Sequence, residues 1–165
     1  MKKLYIKQKI FSLRGKFSVM DEAQHDKYFV EGSFLQFPKT FTIFDANRKE
    51  VAVITKKVFS FLPKFYVEMN GRELLTIKKD FTFLKARYSI DAAGIEVRGN
   101  WWDMEFEVSQ HGEVIGRVNK KWLSWGDSYE VQILHDEYEA IVIAIVVAID
   151  CVKDDDQAAA GSASL

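Results

Sequence analysis

The sequence has few of the features that stabilise small proteins covalently or fix them in membranes. Cys151 is its one cysteine among 165 residues, so no disulfide can form within the chain, which is compatible with a reducing cytosol. The longest apolar segment, Ala140–Ile149, is much shorter than the roughly 20 residues that a membrane-spanning helix needs. The amino-terminal segment has lysines but no continuous apolar core, which is not typical of a signal peptide.

The sequence also lacks an excess of positive or negative charge, since its formal net charge is -1. No overall field therefore attracts nucleic acid or a membrane surface, and any anion site has to be a local patch. We expect a cytoplasmic protein that is at most peripheral at the membrane and has no nucleic-acid partner.

Aromatic residues are abundant, at 14% of the chain, and they favour strands, where they pack across neighbours. Pro38 and Pro63 are the two prolines, and both fall between predicted strands, where a missing amide donor does no harm. The length favours one domain with its own core.

One short phrase occurs four times along the chain. It starts with lysine and has Ser or Thr at its fourth position: KIFSL from Lys9, KVFSF from Lys57, KDFTF from Lys79 and KWLSW from Lys121. The first two copies extend to a match without gaps between residues 6–20 and 54–68. Such internal similarity indicates a repeated supersecondary unit. A hydroxyl that recurs at matched positions fits a turn or strand-end role better than that of a unique nucleophile.

The repeated unit has the signals of β-hairpins. Asn70-Gly71 lies between two apolar-alternating segments and suits the two positive φ angles of a type I′ turn. His111-Gly112 is a weaker version of the same signal. Ten to twelve short strands separated by turns follow from the whole pattern, which indicates an antiparallel sandwich or barrel.

The segment from Asp136 to Lys153 differs, because it is too long for a typical strand. Asp136 is in position to cap a helix, with Glu139 three residues later as in a capping box. Between its polar ends the helix would be apolar on every face, and such a helix is buried on all sides. In a protein made of strands, the inside of a curled sheet offers that environment.

We therefore predict a helix over about 137–152 through the middle of a barrel. The alternatives are a buried last strand of a sandwich and an inserted membrane anchor. Residues 154–165 are expected to form a disordered tail, because Asp154, Asp155 and Asp156 would oppose the dipole at a helix end.

Several segments together resemble the LURP-one-related family, whose members have a tubby C-terminal-like fold. They are the opening YIKQKIFSL, the KK-aromatic phrases, WLSWGDSYEV and the closing AIVVAIDCV. The resemblance covers residues 1 to about 153 and implies one domain over 1–153, a closed antiparallel barrel of about twelve strands around a buried hydrophobic C-terminal helix. It also implies kinship with tubby domains, which bind phosphoinositides, and with phospholipid scramblases.

Motifs for catalysis are lacking. The three histidines are far apart in the sequence, and one cysteine cannot supply zinc-type ligand spacing. Cys151 late in the helix fits an inert packed thiol better than a nucleophile. The late aspartates lack the alternating ligands and turn glycine of an EF-hand loop. We expect a non-enzymatic protein with no cofactor and no metal.

Three matched lysine doublets are the candidate ligand-binding residues: Lys56, Lys57, Lys78, Lys79, Lys120 and Lys121. Lysines at strand ends would meet the phosphates of anionic lipid head groups or small anions. Alternatively they keep strand edges soluble, and spacing around a barrel would disperse them. A further hypothesis is a scaffold for an unknown protein, with an outward side chain from Trp101-Trp102 on a strand or from the Trp122/Trp125 region as the contact.

Overall fold

The computed structural model describes residues 1–7, 16–33, 38–57, 63–80, 87–92, 94–123 and 126–162. In this part of the chain, twelve strands form one antiparallel sheet. The strands are β1 (Lys2–Lys7), β2 (Lys16–Asp21), β3 (Asp26–Gly32), β4 (Lys39–Asp45), β5 (Glu50–Lys57), β6 (Lys64–Met69), β7 (Arg72–Asp80), β8 (Arg87–Asp91), β9 (Ile95–Asn100), β10 (Glu105–Gln110), β11 (Glu113–Leu123) and β12 (Gly126–Ile133). The 3-10 turns Trp101–Asp103 and Asp136–Tyr138 precede β10 and the helix α1 (Glu139–Ser162), respectively.

The sheet curls into a nearly closed barrel. Strands adjacent in sequence pair with each other, except β8 and β9, and β1 also pairs with β12. This order leaves β8 and β9 as the two ends of the sheet. The prediction of about twelve antiparallel strands in a barrel is confirmed, and the sandwich alternative is wrong.

The tight turns follow the predicted chemistry. Asn70 and Gly71 have φ angles of 51° and 72°, and His111 and Gly112 have φ angles of 51° and 85°. Two successive positive φ values define the type I′ turn, whose twist matches the strands on both sides. Both predicted hairpins are therefore present.

The helix occupies the inside of the barrel. Its residues 142–153 are all buried, and most of its apolar side chains have no exposed surface. The wall is close to the helix at Gly116, where an added Cβ would lie 2.8 Å from Cγ1 of Val142. The prediction of a buried central helix is confirmed, and the reading of this segment as a last strand is wrong.

The helix ends differ from the sequence-based expectation. The 3-10 turn at Asp136–Tyr138 delays the α-helix to Glu139. Asp136 is not its cap, and the Glu139 side chain bonds to Lys2 and Tyr28.

At the other end the helix continues to Ser162, past the predicted end near 152. Residues 154–162 are therefore helical, and the expectation of a disordered tail is wrong for them. Residues 163–165 lie outside the described residues. Alanines at 158–160 have the strongest helix propensity, and lysines on the barrel wall pair with the aspartates that would oppose the dipole. That residues 1–153 form one domain stays a prediction.

The alternating strand directions give the barrel two rims. We call the rim where the helix begins the start rim; it contains the last residues of the even-numbered strands. The exit rim, where the helix leaves the barrel, contains the last residues of the odd-numbered strands: Lys7, Gly32, Lys57, Asp80, Asn100 and Leu123. All four repeated phrases follow or include the ends of strands at the exit rim, and most of their residues lie outside the described ranges.

Candidate anion-binding site at the exit rim

The strand register brings the lysine doublets to one rim. Lys56 is paired with Lys39 on β4, Lys57 with Lys64 on β6, and Lys64 with Lys78 on β7. Across the barrel, Lys120 and Lys121 lie in β11 opposite Tyr129 and Ser128 near the start of β12. The doublets on β5, β7 and β11 are spread around the circumference of the barrel, as expected, but all three lie at the same rim and surround one opening.

The pleat divides each doublet between the two faces of the wall, because successive side chains of a strand point in opposite directions. Lys56 is on the same face as buried Ile54, and Lys79 is on the same face as buried Ile77. Lys120 likewise shares its face with buried Val118. These three lysines face the inside of the opening, and we call them the inner lysines. Their neighbours face outward and are the outer lysines: Lys57, Lys78 and Lys121.

Two inner lysines pair with the end of the helix. Lys56 forms an ion pair with Asp155, and Nζ of Lys79 lies 2.6 Å from Oδ1 of Asp156. The four side chains are between 18% and 24% exposed. These pairs are therefore partly shielded from water and stronger than fully exposed ones.

The neighbouring Asp154 belongs to the same charged group. Burial raises its pKa, while the positive charges of Lys39 and Lys153 oppose that rise. Lys39 is not part of the repeated phrase. Its pairing with Lys56 in the strand register places it at the same rim, on the inward face of β4. The exit rim therefore holds an acidic helix end inside a ring of lysines.

The outer lysines have weaker contacts. The ammonium of Lys57 lies 4.8 Å from the ring centroid of Tyr66. Lys78 pairs at 3.0 Å with Asp91, whose side chain is 73% exposed. Lys121 is exposed, and its charge helps to lower the pKa of Glu130 against the effect of burial. These cations are accessible to a ligand without movement of the helix.

Below the opening lies a pair of buried ionisable groups. Asp150 is 8% exposed and Lys153 is 9% exposed. Burial raises the pKa of Asp150 to about 7, with a further rise from Asp154 and opposition from Lys153. Burial lowers the pKa of Lys153, whose ammonium lies 5.5 Å from the ring centroid of Tyr129.

Cys151 is 2% exposed, and burial raises its thiol pKa well above the usual value. A protonated, enclosed thiol is a poor nucleophile, which supports the interpretation of Cys151 as a packing residue.

The start rim shows a different arrangement around Glu139. Lys2 donates from Nζ to Oε2 at 2.5 Å, and the Tyr28 hydroxyl donates to Oε1 at 2.8 Å. The Glu139 side chain is only 12% exposed. Both carboxylate oxygens therefore have a protein donor, and this contact fixes the beginning of the helix.

The tryptophan prediction needs correction. Trp101 and Trp102 lie in the 3-10 turn Trp101–Asp103 and not on a strand, so strand alternation does not apply to them. Asn100 caps this turn by accepting from the Asp103 amide at 3.3 Å. Both indoles pack partly buried against the core, with ring centroids 5.7 Å apart. The Trp122 side chain and Trp125 lie outside the described part of the chain.

Other candidate features lie away from the inner lysines. A surface cleft of about 530 Å³ is lined by Lys2, Lys3, Asp21 and their neighbours at the start rim. Within the described ranges, no three His, Cys, Asp or Glu side chains come together as a metal site. Of the helical segments that the structure describes, none has the length and apolar character needed to cross a membrane.

Comparisons with known proteins agree with this architecture. The solved structure of a protein from Arabidopsis thaliana superposes with a TM-score of 0.58, covering 90% of this chain and 91% of that chain at 14% identity. At that identity the likeness shows the fold alone.

A protein of Bacillus subtilis (strain 168), named "Uncharacterized protein YxjI", is 33% identical over 157 residues, which cover 95% of this chain and 97% of that protein. The family model described as LURP-one-related matches residues 2–150, a span from the first strand to the buried part of the helix. The chain belongs to the LURP-one-related family.

Proposed function

We propose that this protein is a non-enzymatic cytoplasmic module that binds a phosphate-bearing anion, the head group of an anionic membrane lipid, through the lysines of the exit rim. One observation carries the proposal: strand order and register place all three lysine doublets around one opening. Cations around one opening form the kind of local patch that a protein with a net charge of -1 needs to bind an anion.

The charges are suited to a peripheral contact. Each lysine close to an anionic surface contributes about 1 kcal/mol, and the contribution falls off within a Debye length. The outer lysines and the exposed inner lysine Lys120 supply several such cations without movement of the helix. Binding is therefore expected to weaken as ionic strength rises.

The scaffold alternative receives less support. Of its candidate contacts, Trp101 and Trp102 pack against the core, and the Trp122 side chain and Trp125 lie outside the described part of the chain. Met1, at 80%, is the exposed large hydrophobic side chain among the described residues. A partner protein that binds through an apolar patch would find little surface there.

Vesicle co-sedimentation tests the proposal. The probes are phosphatidylcholine vesicles with and without phosphatidylinositol bisphosphate. The test variant is Lys57→Glu/Lys120→Glu/Lys121→Glu at the exit rim. The matched control, Lys27→Glu/Lys49→Glu/Arg72→Glu, changes the net charge equally on strands and turns at the start rim.

We expect binding of the wild type to the anionic vesicles, a loss of about a hundredfold in the exit-rim variant and little change in the control. Soluble inositol trisphosphate is the second arm: competition by it identifies the phosphate group as the feature recognised, and a lack of competition points to the membrane surface charge. Equal binding by the exit-rim variant and the wild type, or no binding by either, would remove the proposed function.

A further inference from the structure

The acidic end of the helix occupies the same lysines that a phosphate would use. We infer that Asp155 and Asp156 are internal competitors: their carboxylates hold Lys56 and Lys79, and an anionic ligand binds these two lysines by displacing the helix end. This regulation rests on the proposed function, because it concerns the same rim. It makes the outer lysines and Lys120 the first contact, and Lys56 and Lys79 the second.

The contacts have the chemistry of a ligand complex. A carboxylate and a phosphate oxygen both accept charge-assisted hydrogen bonds from an ammonium group. Lys79 donates to Asp156 at 2.6 Å, and Lys56 donates to Asp155. The paired residues are 77 and 99 positions apart in the sequence, so the contacts result from the tertiary fold and not from local chain geometry.

Helix stability does not explain these aspartates. The helix dipole acts on charges within the last turn, and Asp155 and Asp156 lie more than one turn before Ser162, where α1 ends. The dipole therefore gives no reason for acidic residues at these two positions. The partners that stabilise Asp155 and Asp156 are Lys56 and Lys79 of the barrel wall. The negative charge of the helix end is therefore complementary to the positive charge of the exit rim.

Displacement of the helix end leaves the core intact. Residues 142–153 are buried, residues 154–156 are intermediate, and residues 157–161 are exposed. A terminal segment with few buried apolar contacts opens at low free-energy cost. Release therefore breaks the ion pairs Lys56–Asp155 and Lys79–Asp156, whose side chains are partly exposed, and leaves the buried residues 142–153 in place.

A cycle of four proteins tests the inference with the same anionic vesicles. They are the wild type, Asp155→Asn/Asp156→Asn, Lys56→Gln/Lys79→Gln and the variant with all four changes. Glu50→Gln/Glu68→Gln is the matched control, because it removes two negative charges from exposed positions toward the start rim. Circular dichroism and thermal unfolding show whether each variant keeps the fold.

Competition predicts that Asp155→Asn/Asp156→Asn binds about tenfold more tightly than the wild type, since two ion pairs no longer have to be broken. The gain should vanish in the Lys56→Gln/Lys79→Gln background, and the control should bind like the wild type. A gain of equal size in both backgrounds would mean simple charge repulsion and would overturn the inference. Wild-type binding that depends on the rim lysines, with no gain in the aspartate variant, would overturn the inference while leaving the proposed function in place. Absence of binding by every variant would remove both.

Discussion

The two ends of the central helix use the same chemical pair, a carboxylate with a lysine, for different purposes. At the start rim, Glu139 has a partner on each oxygen, and one of them is the hydroxyl of the buried Tyr28. At the exit rim, Asp155 and Asp156 each pair with a lysine at the point where the helix becomes exposed. The three carboxylates are similarly shielded, at 12% to 19% exposed. The comparison teaches that the place of the contact on the helix, and not the ion pair itself, separates a fixed contact, which the buried residues 142–153 follow, from a replaceable one, which the exposed residues 157–161 follow.

The largest expected effect concerns Asp150, a buried carboxyl group near the exit-rim end of the helix that has no counterpart among the described residues of the start rim. In the unfolded chain Asp150 has its ordinary pKa of 3.8, and in the folded protein its pKa is about 7. Between these values the folded protein keeps a proton that the unfolded chain has released. The contribution of Asp150 to stability is therefore greatest below the lower value and falls as pH rises to about 7, by an amount on the order of 4 kcal/mol.

Asp150→Asn removes this group, so the variant should gain stability relative to the wild type as the pH is raised from about 5 to about 8. Urea unfolding at the two pH values measures the difference, with Glu68→Gln on an exposed strand position as the control. A wild-type protein whose pH dependence equals that of Asp150→Asn would show that the carboxyl is solvated.

A smaller difference in stability should distinguish the two ends of the helix directly. Glu139→Ala leaves the Tyr28 hydroxyl without its acceptor and should lower the free energy of unfolding by about 2 kcal/mol. Glu139→Gln keeps an acceptor oxygen and should cost less. Asp155→Asn/Asp156→Asn should lower the free energy of unfolding by about 1 kcal/mol or less, because asparagine keeps an oxygen that accepts from each lysine and the segment that follows is exposed.

Urea unfolding at neutral pH measures the free energy of unfolding of all three variants: Glu139→Ala, Glu139→Gln and Asp155→Asn/Asp156→Asn. Equal losses from Glu139→Ala and the aspartate variant would contradict the distinction between a fixed and a replaceable end.

The sequence was sufficient for the parts of the fold that depend on local pattern. Asn70-Gly71 specified its turn, and the apolar segment after Glu139 specified a helix buried on every face. The helix end was missed because the dipole argument is local, whereas the lysines that pair with Asp155 and Asp156 come from β5 and β7. The tryptophan turn was missed because the capping side chain of Asn100 prevails over the strand pattern of its neighbours.

The candidate site was predictable only in its residue types. The doublets stand out in the sequence, but which lysine of each doublet faces inward depends on the phase of the pleat. Their gathering at one rim depends on the up-and-down strand order, and Lys39 enters through its pairing with Lys56. These are properties of register, which a single sequence does not display.

The central claim is that an anion binds Lys56 and Lys79 by displacing the end of the helix from them. Amide hydrogen exchange of residues 154–162, measured while inositol trisphosphate is added, tests it most directly. The account predicts faster exchange in this segment on binding, with unchanged protection over residues 142–152 and no response in Lys56→Gln/Lys79→Gln. Bound ligand with unchanged or slower exchange at the helix end would contradict it.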